Sequence, residues 1–444
     1  MISREVTIVG AGLAGSLVAT LLAQQGHAVQ ALEKLPDLRH TRIDAGRSIN
    51  LALAARGIRA LESAGIMPRV LPLLIPMKGR MVHAINGDLT FVPYGQREHE
   101  VIYSVSRPGL NRVLLDAAEE AGVQMRFSEP ISRIQPGQIR SEAGAPIKAS
   151  HVIGADGAGS VIRKFIANTS AIHADEALLE HGYKELTLPA DRDGRHQLER
   201  NALHIWPRGG FMLIALPNLD GSFTVTLFLP HHGRESFEAL RSEPDVRKFF
   251  AQYFPDVISA MPNLAAKFLE HPTGVMGTIY CDRWYIEDQF MLLGDAAHAI
   301  TPFHGQGMNC AFEDCRVLSE MLLNRDDWSR AFAEFQIARK PETDAIAKMA
   351  LENYLEMRDT VRDPKFLLQK SLALELERRF PERFVPRYSM VMFHDEIPYS
   401  TAYSRGTVQA HILAELTLEA NVLGDVDFDH AKQLVEARLT PLQT

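Results

Sequence analysis

The clearest hydrophobic pattern lies at the start of the chain. Val6 to Val9 is an apolar run of strand length, Leu13 to Gln25 carries apolar residues at helical spacing, and Gly26 offers a left-handed stop. Ala28 to Leu32 then reads as a second strand, ending at Glu33. Between the first strand and the helix stands Gly10-Ala11-Gly12-Leu13-Ala14-Gly15, so the spacing predicts a βαβ unit with an acid 18 residues beyond the third glycine. Gly10 permits the tight turn, Gly12 lets a pyrophosphate approach the backbone, and Gly15 lets the helix pack closely on the sheet. The helix N-terminus turns unpaired N–H groups toward the anion, and Glu33 is placed to accept from ribose hydroxyls. This unit points to a dinucleotide but does not choose between NAD and FAD.

Two later segments repeat the strand-to-loop pattern. Ala149 to Ile153 reads as a buried strand running into Gly154-Ala155-Asp156-Gly157 and on to Ser160-Val-Ile-Arg163. Phe290 to Leu293 is another, running into Gly294-Asp295-Ala-Ala-His298 and then Pro302-Phe303-His304-Gly305-Gln306-Gly307-Met308-Asn309, with a helix expected from about Cys310 to Leu323. Between them, Leu203 to Pro207, Phe211 to Leu216 and Phe223 to Leu229 alternate, which predicts antiparallel strands from about Gly182 to Leu229. Beyond Leu323 the apolar residues recur at three- and four-residue spacing through Ala331 to Met357 and Phe366 to Leu376, which predicts helices.

Composition narrows the class. The 444 residues are 46% hydrophobic and 23% charged, as in an ordinary globular protein, and a formal net charge of -8 argues against a nucleic-acid binder. Cys281, Cys310 and Cys315 support neither a disulfide framework nor a four-cysteine zinc site, and the last two fall on different faces of one expected helix. His231-His232 has no partner at metal-ligand spacing, so no metal is expected. The N-terminus lacks signal-peptide features, and no apolar run approaches the roughly 20 residues that span a bilayer. The expectation is a cytoplasmic protein without a membrane anchor, monomeric or homodimeric.

The three glycine- and aspartate-bearing segments, in this order, resemble those of the single-component flavin-dependent aromatic hydroxylases, the family typified by para-hydroxybenzoate hydroxylase. The resemblance implies an α/β fold with a Rossmann-like FAD-binding domain, an inserted antiparallel-sheet substrate layer and a C-terminal helical region. The implied division is 1–75, 100–180 and 275–330 for FAD, 76–99 and 181–274 for the sheet, and 331–444 for the helices. It implies bound FAD contacted through Gly10, Gly12, Leu13, Ala14, Gly15, Glu33, Lys34, Arg47, Ala52, Arg107, Ile131 and Asp156. Asp295 would meet the ribityl chain, while Gly307, Met308 and Asn309 open a helix whose positive end suits an anionic reduced flavin. NADPH would bind transiently, without a domain of its own.

A narrower resemblance rests on Gly46-Arg47-Ser48-Ile49-Asn50, Gly79-Arg80-Met81-Val82-His83, Asn201-Ala-Leu-His-Ile-Trp206-Pro, Leu351-Glu-Asn353-Tyr354 and Pro386-Arg-Tyr388-Ser-Met390. Together with the Pro302 to Asn309 segment, this set resembles the kynurenine 3-monooxygenase family. It implies NADPH- and O2-dependent hydroxylation of L-kynurenine through a flavin C4a-hydroperoxide, in tryptophan degradation. A carboxylate in a mostly apolar cavity needs a fixed cation, and the arginine fork suits it. The resemblance assigns that role to Arg80 with Tyr94, adds Asn353 and Tyr388 at the polar end, and lines the ring slot with Leu203, Met212, Leu216, Phe228, Pro302 and Phe303. His304 reads equally as an acid or base beside the flavin and as a loop hydrogen-bonding group. Two alternatives stay open: a hydroxylase of another aromatic acid such as a phenol or benzoate, and a non-catalytic dinucleotide-binding escort module.

Overall fold

The computed structural model describes residues 3–40, 50–142, 144, 146–170, 172–360 and 363–442. The chain forms two compact units: Met1–Leu74, Val105–Leu179 and Val275–Ala347 make one, and Ile75–Ser104, Glu180–Gly274 and Lys348–Thr444 the other.

The first unit is built on a six-stranded sheet in the order Tyr285–Ile286, Phe290–Leu292, His151–Gly154, Glu5–Val9, Ala28–Leu32 and Gln124–Arg126. All neighbours run parallel except the short first strand. Val6, Ile8 and Val9 are buried, as a strand covered on both faces requires. The register aligns Val9 with both Leu32 and Gly154, and Gly154 with Leu292. The three motif loops therefore leave the sheet at one carboxyl edge, where open parallel sheets form their ligand crevice.

Where the sequence pattern reads one strand over Ala149 to Ile153, the chain makes two. Ile147–Ala149 joins an antiparallel three-stranded sheet with Ile131–Gln135 and Gly137–Ser141, and His151–Gly154 enters the parallel sheet. Ser150 is where the chain changes partners, a tertiary choice that hydrophobicity alone does not encode. The helix expected from about Cys310 begins earlier and spans Gly307–Leu322.

In the second unit the strands lie in the order Ala174–Leu188, Phe223–Pro230, Met212–Pro217, Ala202–Pro207, Gly79–His83 and Leu89–Pro93. The expected antiparallel pattern holds for the meander but not throughout, because Ala202–Pro207 pairs parallel with Gly79–His83 and sets Leu203 beside Arg80. Side chains alternate between the faces. Trp206, Leu213, Ala215, Val225 and Leu227 take one face and pack on Phe249, Phe250 and Phe254 of the helical segment that follows. By register, Arg80, Leu203, Met212, Leu216 and Phe228 take the other. The long helix Trp328–Leu355 passes into a π-helical turn, Glu356–Thr360, before Pro364–Arg379 begins. Leu372, Leu376, Phe384, Ile412 and Val435 form a separate core among the C-terminal helices. Among the described residues no helix is long and apolar enough to cross a membrane.

Candidate active site

The dinucleotide cradle of the first unit is made largely of backbone. Gly10 has φ +96°, and a Cβ there would lie 2.6 Å from the Ala155 carbonyl oxygen; at Gly15 it would lie 1.9 Å from that of Gly10. Neither position has room for a side chain. Gly12 differs, since a Cβ there would meet nothing within 4 Å, so space is kept beside the start of helix Leu13–Gln24. That helix has no side-chain cap and no acid in its first turn, which leaves its N–H groups for an anion. Leu13 and Ala14 form the first turn. Glu33 accepts from the Ala11 N–H at 2.8 Å and the Leu35 N–H at 2.9 Å, which fixes its carboxylate at the mouth of the cradle; Lys34 beside it is exposed.

In the second motif Asp156 Oδ2 accepts from the Val161 N–H at 2.7 Å, while its Oδ1 is buried with no hydrogen-bond partner among the described residues. Burial raises this carboxyl above the usual carboxylate range, against the pull of Ser160 and the nearby N–H groups. Arg163, absent from the expected site, donates to the Ala296 carbonyl at 2.9 Å and so ties the second motif to the third. Its place at the end of the Asp156 motif is the signal that could have found it. Asp295 is exposed although Gly294 and Ala296 on either side are buried, an arrangement that keeps a carboxylate open to a polar ligand.

The helix Gly307–Leu322 likewise starts without a side-chain cap or an acid in its first turn. Asn309 is fully engaged within the protein: it accepts from Ala54 N–H at 2.9 Å and donates to the Ala52 and Gly305 carbonyls at 2.8 Å each. Its amide is spent within the protein, while Gly307 and Met308 beside it are half-buried. A buried ionic network holds this helix in place. Arg339 bridges Glu313 at 2.8 Å and Asp314 at 2.7 Å, Arg56 meets Glu313 at 2.8 Å, and His298 meets Asp314 at 2.5 Å. Pro302 is exposed, and Phe303 and His304 are buried, in the short turn before the helix. Arg107 is exposed at the first position of helix Arg107–Glu120, where the dipole disfavours a cation, and it has no ion-pair partner among the described residues. Ile131 is half-buried in the three-stranded sheet. Arg47 lies outside the described residues.

These features fit FAD. The cradle is open at Gly12, two helix N-termini are uncapped, Asp156 keeps an orphaned oxygen, and Asp295 is presented at the sheet edge.

The second unit gathers a different kind of site, made of side chains. Arg80 is 8% exposed, and its guanidinium carbon lies 5.8 Å from the Tyr94 ring centre and 5.0 Å from that of Tyr388. The two phenol rings stack at 5.5 Å. Burial opposes the Arg80 charge, but Tyr388, Tyr94 and Glu356 more than offset it, so the cation is secure. Burial pushes both phenols up, and they remain O–H donors. Glu356, in the π-helical turn, was not among the expected residues; it sits 3.6 Å from Arg80 and 3.3 Å from Lys370. Burial works against its charge, yet Lys370 and Arg80 hold it below the usual carboxylate range. Its spacing of one turn from Asn353 is the signal that could have found it. Asn353 is buried and donates to the Met357 sulfur at 3.2 Å. Met212, Leu216 and Phe228 are buried and Leu203 half-buried on the sheet face that carries Arg80. A buried guanidinium with two phenol donors has the chemistry to hold a carboxylate, and this face adds apolar walls.

Residues 3–325 match the family model described as FAD binding domain, which makes the chain an FAD-binding protein of that family. Two solved structures share the fold: a tetrameric form of 2-methyl-3-hydroxypyridine-5-carboxylic acid oxygenase, at TM-score 0.68 and 22% identity over 85% of this chain and 98% of that one, and P. aeruginosa PqsL in complex with 2-aminobenzoylacetate, at TM-score 0.65 and 23% identity over 80% and 97%. Far nearer in sequence is a kynurenine 3-monooxygenase of Stenotrophomonas maltophilia, 46% identical over 99% of this chain and 98% of its own; one from Myxococcus xanthus is 44% identical over 98% and 96%. The chain belongs to the kynurenine 3-monooxygenase family of FAD-dependent monooxygenases.

Proposed function

We propose that the protein hydroxylates L-kynurenine to 3-hydroxykynurenine, using NADPH and dioxygen. The observation that carries this reading is the buried Arg80 guanidinium flanked by Tyr94 and Tyr388, a clamp for the carboxylate of an amino-acid head. Asn353 adds a polar group from the helical side, and Leu203, Met212, Leu216 and Phe228 offer dry walls to an aryl ring. Gly10, Gly12, Gly15, Glu33, Asp156, Asp295 and the start of helix Gly307–Leu322 would hold FAD. When bound, FAD supplies the redox chemistry that activates dioxygen. The chain's own part is to bind, orient and exclude water, since stray water and protons waste the oxidant. The ring carbon ortho to the substrate amino group is already electron-rich. No side chain is required to deprotonate the substrate, in contrast to the hydroxylation of a phenol.

NADPH oxidation by the FAD-loaded protein, followed with and without L-kynurenine and with salicylate, tests the reading. Faster oxidation with L-kynurenine and none with salicylate is the expected result. Stimulation by salicylate alone would overturn it.

A further inference from the structure

Two histidines in the motifs that carry the substrate strands have no part in the chemistry above. His83 closes Gly79–His83, three residues after Arg80, and His204 lies in Ala202–Pro207. Both are buried, at 4% and 2% exposure, on the sheet face opposite Arg80. They form one linear chain of contacts: Asp256 Oδ2 to His83 Nδ1 at 2.9 Å, His83 Nε2 to His204 Nδ1 at 2.8 Å, and His204 Nε2 to the Glu199 carbonyl at 2.8 Å.

Counting hydrogens decides the state of this chain. Three contacts need three hydrogens, and two neutral imidazoles supply two. Glu199 contributes a carbonyl, which only accepts, so His204 Nε2 carries a hydrogen. Asp256 also accepts from the Trp206 indole N–H at 2.7 Å, and although burial opposes its charge, His83 and Trp206 hold it below the usual carboxylate range, so it is ionised and His83 Nδ1 carries a hydrogen too. The hydrogen between the rings then makes one of them an imidazolium. His83 is the ring beside the carboxylate, and it stacks on the Trp206 indole at 4.0 Å, where a cation is favoured. His204 has no carboxylate in hydrogen-bond contact: it meets the Glu199 carbonyl, the His83 ring and, edge-on, the Phe223 ring at 5.5 Å, and burial lowers it to about 4. The nearby Arg208 directs its guanidinium to the carbonyls of His83, Pro207 and Tyr253.

We propose that His83 is a buried imidazolium paired with Asp256, and that this Asp256–His83–His204 chain is a positioning device fastening the Arg80 strand to the helix Pro255–Ile258 and to strand Ala202–Pro207. With Asp256 ionised, every arrangement of two neutral rings would set two lone pairs against each other at one of the three contacts. The cation therefore fixes the register that puts Leu203 beside Arg80.

Nitrogen NMR of the FAD-loaded protein labelled at histidine tests the charge. At neutral pH His83 should show two protonated ring nitrogens and His204 one, with assignment by His83→Gln and His204→Gln. A proton-free nitrogen on His83 would overturn the proposal. Asp256→Asn removes the counter-charge while leaving both rings, so it reads the same device should His83→Gln fail to fold. His83 should then lose its extra proton, and L-kynurenine should bind about 3- to 10-fold more weakly with FAD retained. An unchanged spectrum or unchanged binding would contradict the device. The binding arm rests on the kynurenine reading and the NMR arm does not; a wild-type protein that shows the imidazolium yet ignores L-kynurenine refutes that reading alone.

Discussion

The two units offer opposite kinds of candidate site. The FAD unit works through main chain: glycines that admit no Cβ, one glycine that keeps space open, and helix starts left uncapped. The candidate site of the second unit is made of side chains, with Arg80, Tyr94, Glu356 and Tyr388 brought together from distant stretches of chain. A backbone site has little tolerance for added atoms, whereas a side-chain site loses affinity one group at a time.

Gly15→Ala attacks the first kind of site where it is tightest. Its Cβ would sit 1.9 Å from main-chain oxygen, which cannot swing aside. FAD affinity, followed by fluorescence titration, should fall by at least about 10-fold, roughly 1.4 kcal/mol, and purified protein should lose its yellow colour. Arg80→Ala strikes the second site and should leave the colour intact. L-Kynurenine should bind about 10- to 100-fold more weakly, in keeping with the ~1.5–3 kcal/mol carried by hydrogen bonds to charged groups. Loss of FAD in this variant would erase the contrast between the units.

Tyr388→Phe removes one neutral donor and keeps the ring, so a weakening of about 5-fold in L-kynurenine binding is expected. The smallest effect belongs to a surface charge cluster in the second unit. Arg378 and Arg379 hold the Glu375 carboxyl down at about 2. A carboxyl whose folded pKa is depressed adds stability above its unfolded value and loses it as pH falls toward about 2. At an exposed cluster this is small, so Glu375→Gln should change unfolding free energy at neutral pH by less than about 1 kcal/mol. Denaturant titrations at neutral and acid pH measure the difference.

The same contrast explains what could be read in the sequence. Gly10 through Glu33 is contiguous, and its spacing carries both fold and ligand, so the βαβ unit and its edge were legible. The Ser150 break, the parallel pairing of Leu203 with Arg80, and the chain from Asp256 to His204 join residues far apart in sequence, and no local periodicity encodes them. Arg80, Tyr94 and Tyr388 were reached through family resemblance. Glu356 was missed because what marks it is its approach to Arg80, 276 positions earlier, and its one-turn spacing from Asn353 does not disclose that partner. For Asn309 the position was legible but the use of its amide was not: it binds Ala52, Ala54 and Gly305 and so joins two chain segments of the FAD unit.

The central claim is that this FAD-dependent monooxygenase acts on L-kynurenine. The most direct test is the mass of the product formed from L-kynurenine and NADPH under dioxygen carrying the heavy oxygen isotope. A product with one added heavy oxygen atom on the ring, at the carbon ortho to the amino group, is the predicted result. Unchanged L-kynurenine recovered alongside oxidised NADPH would contradict it.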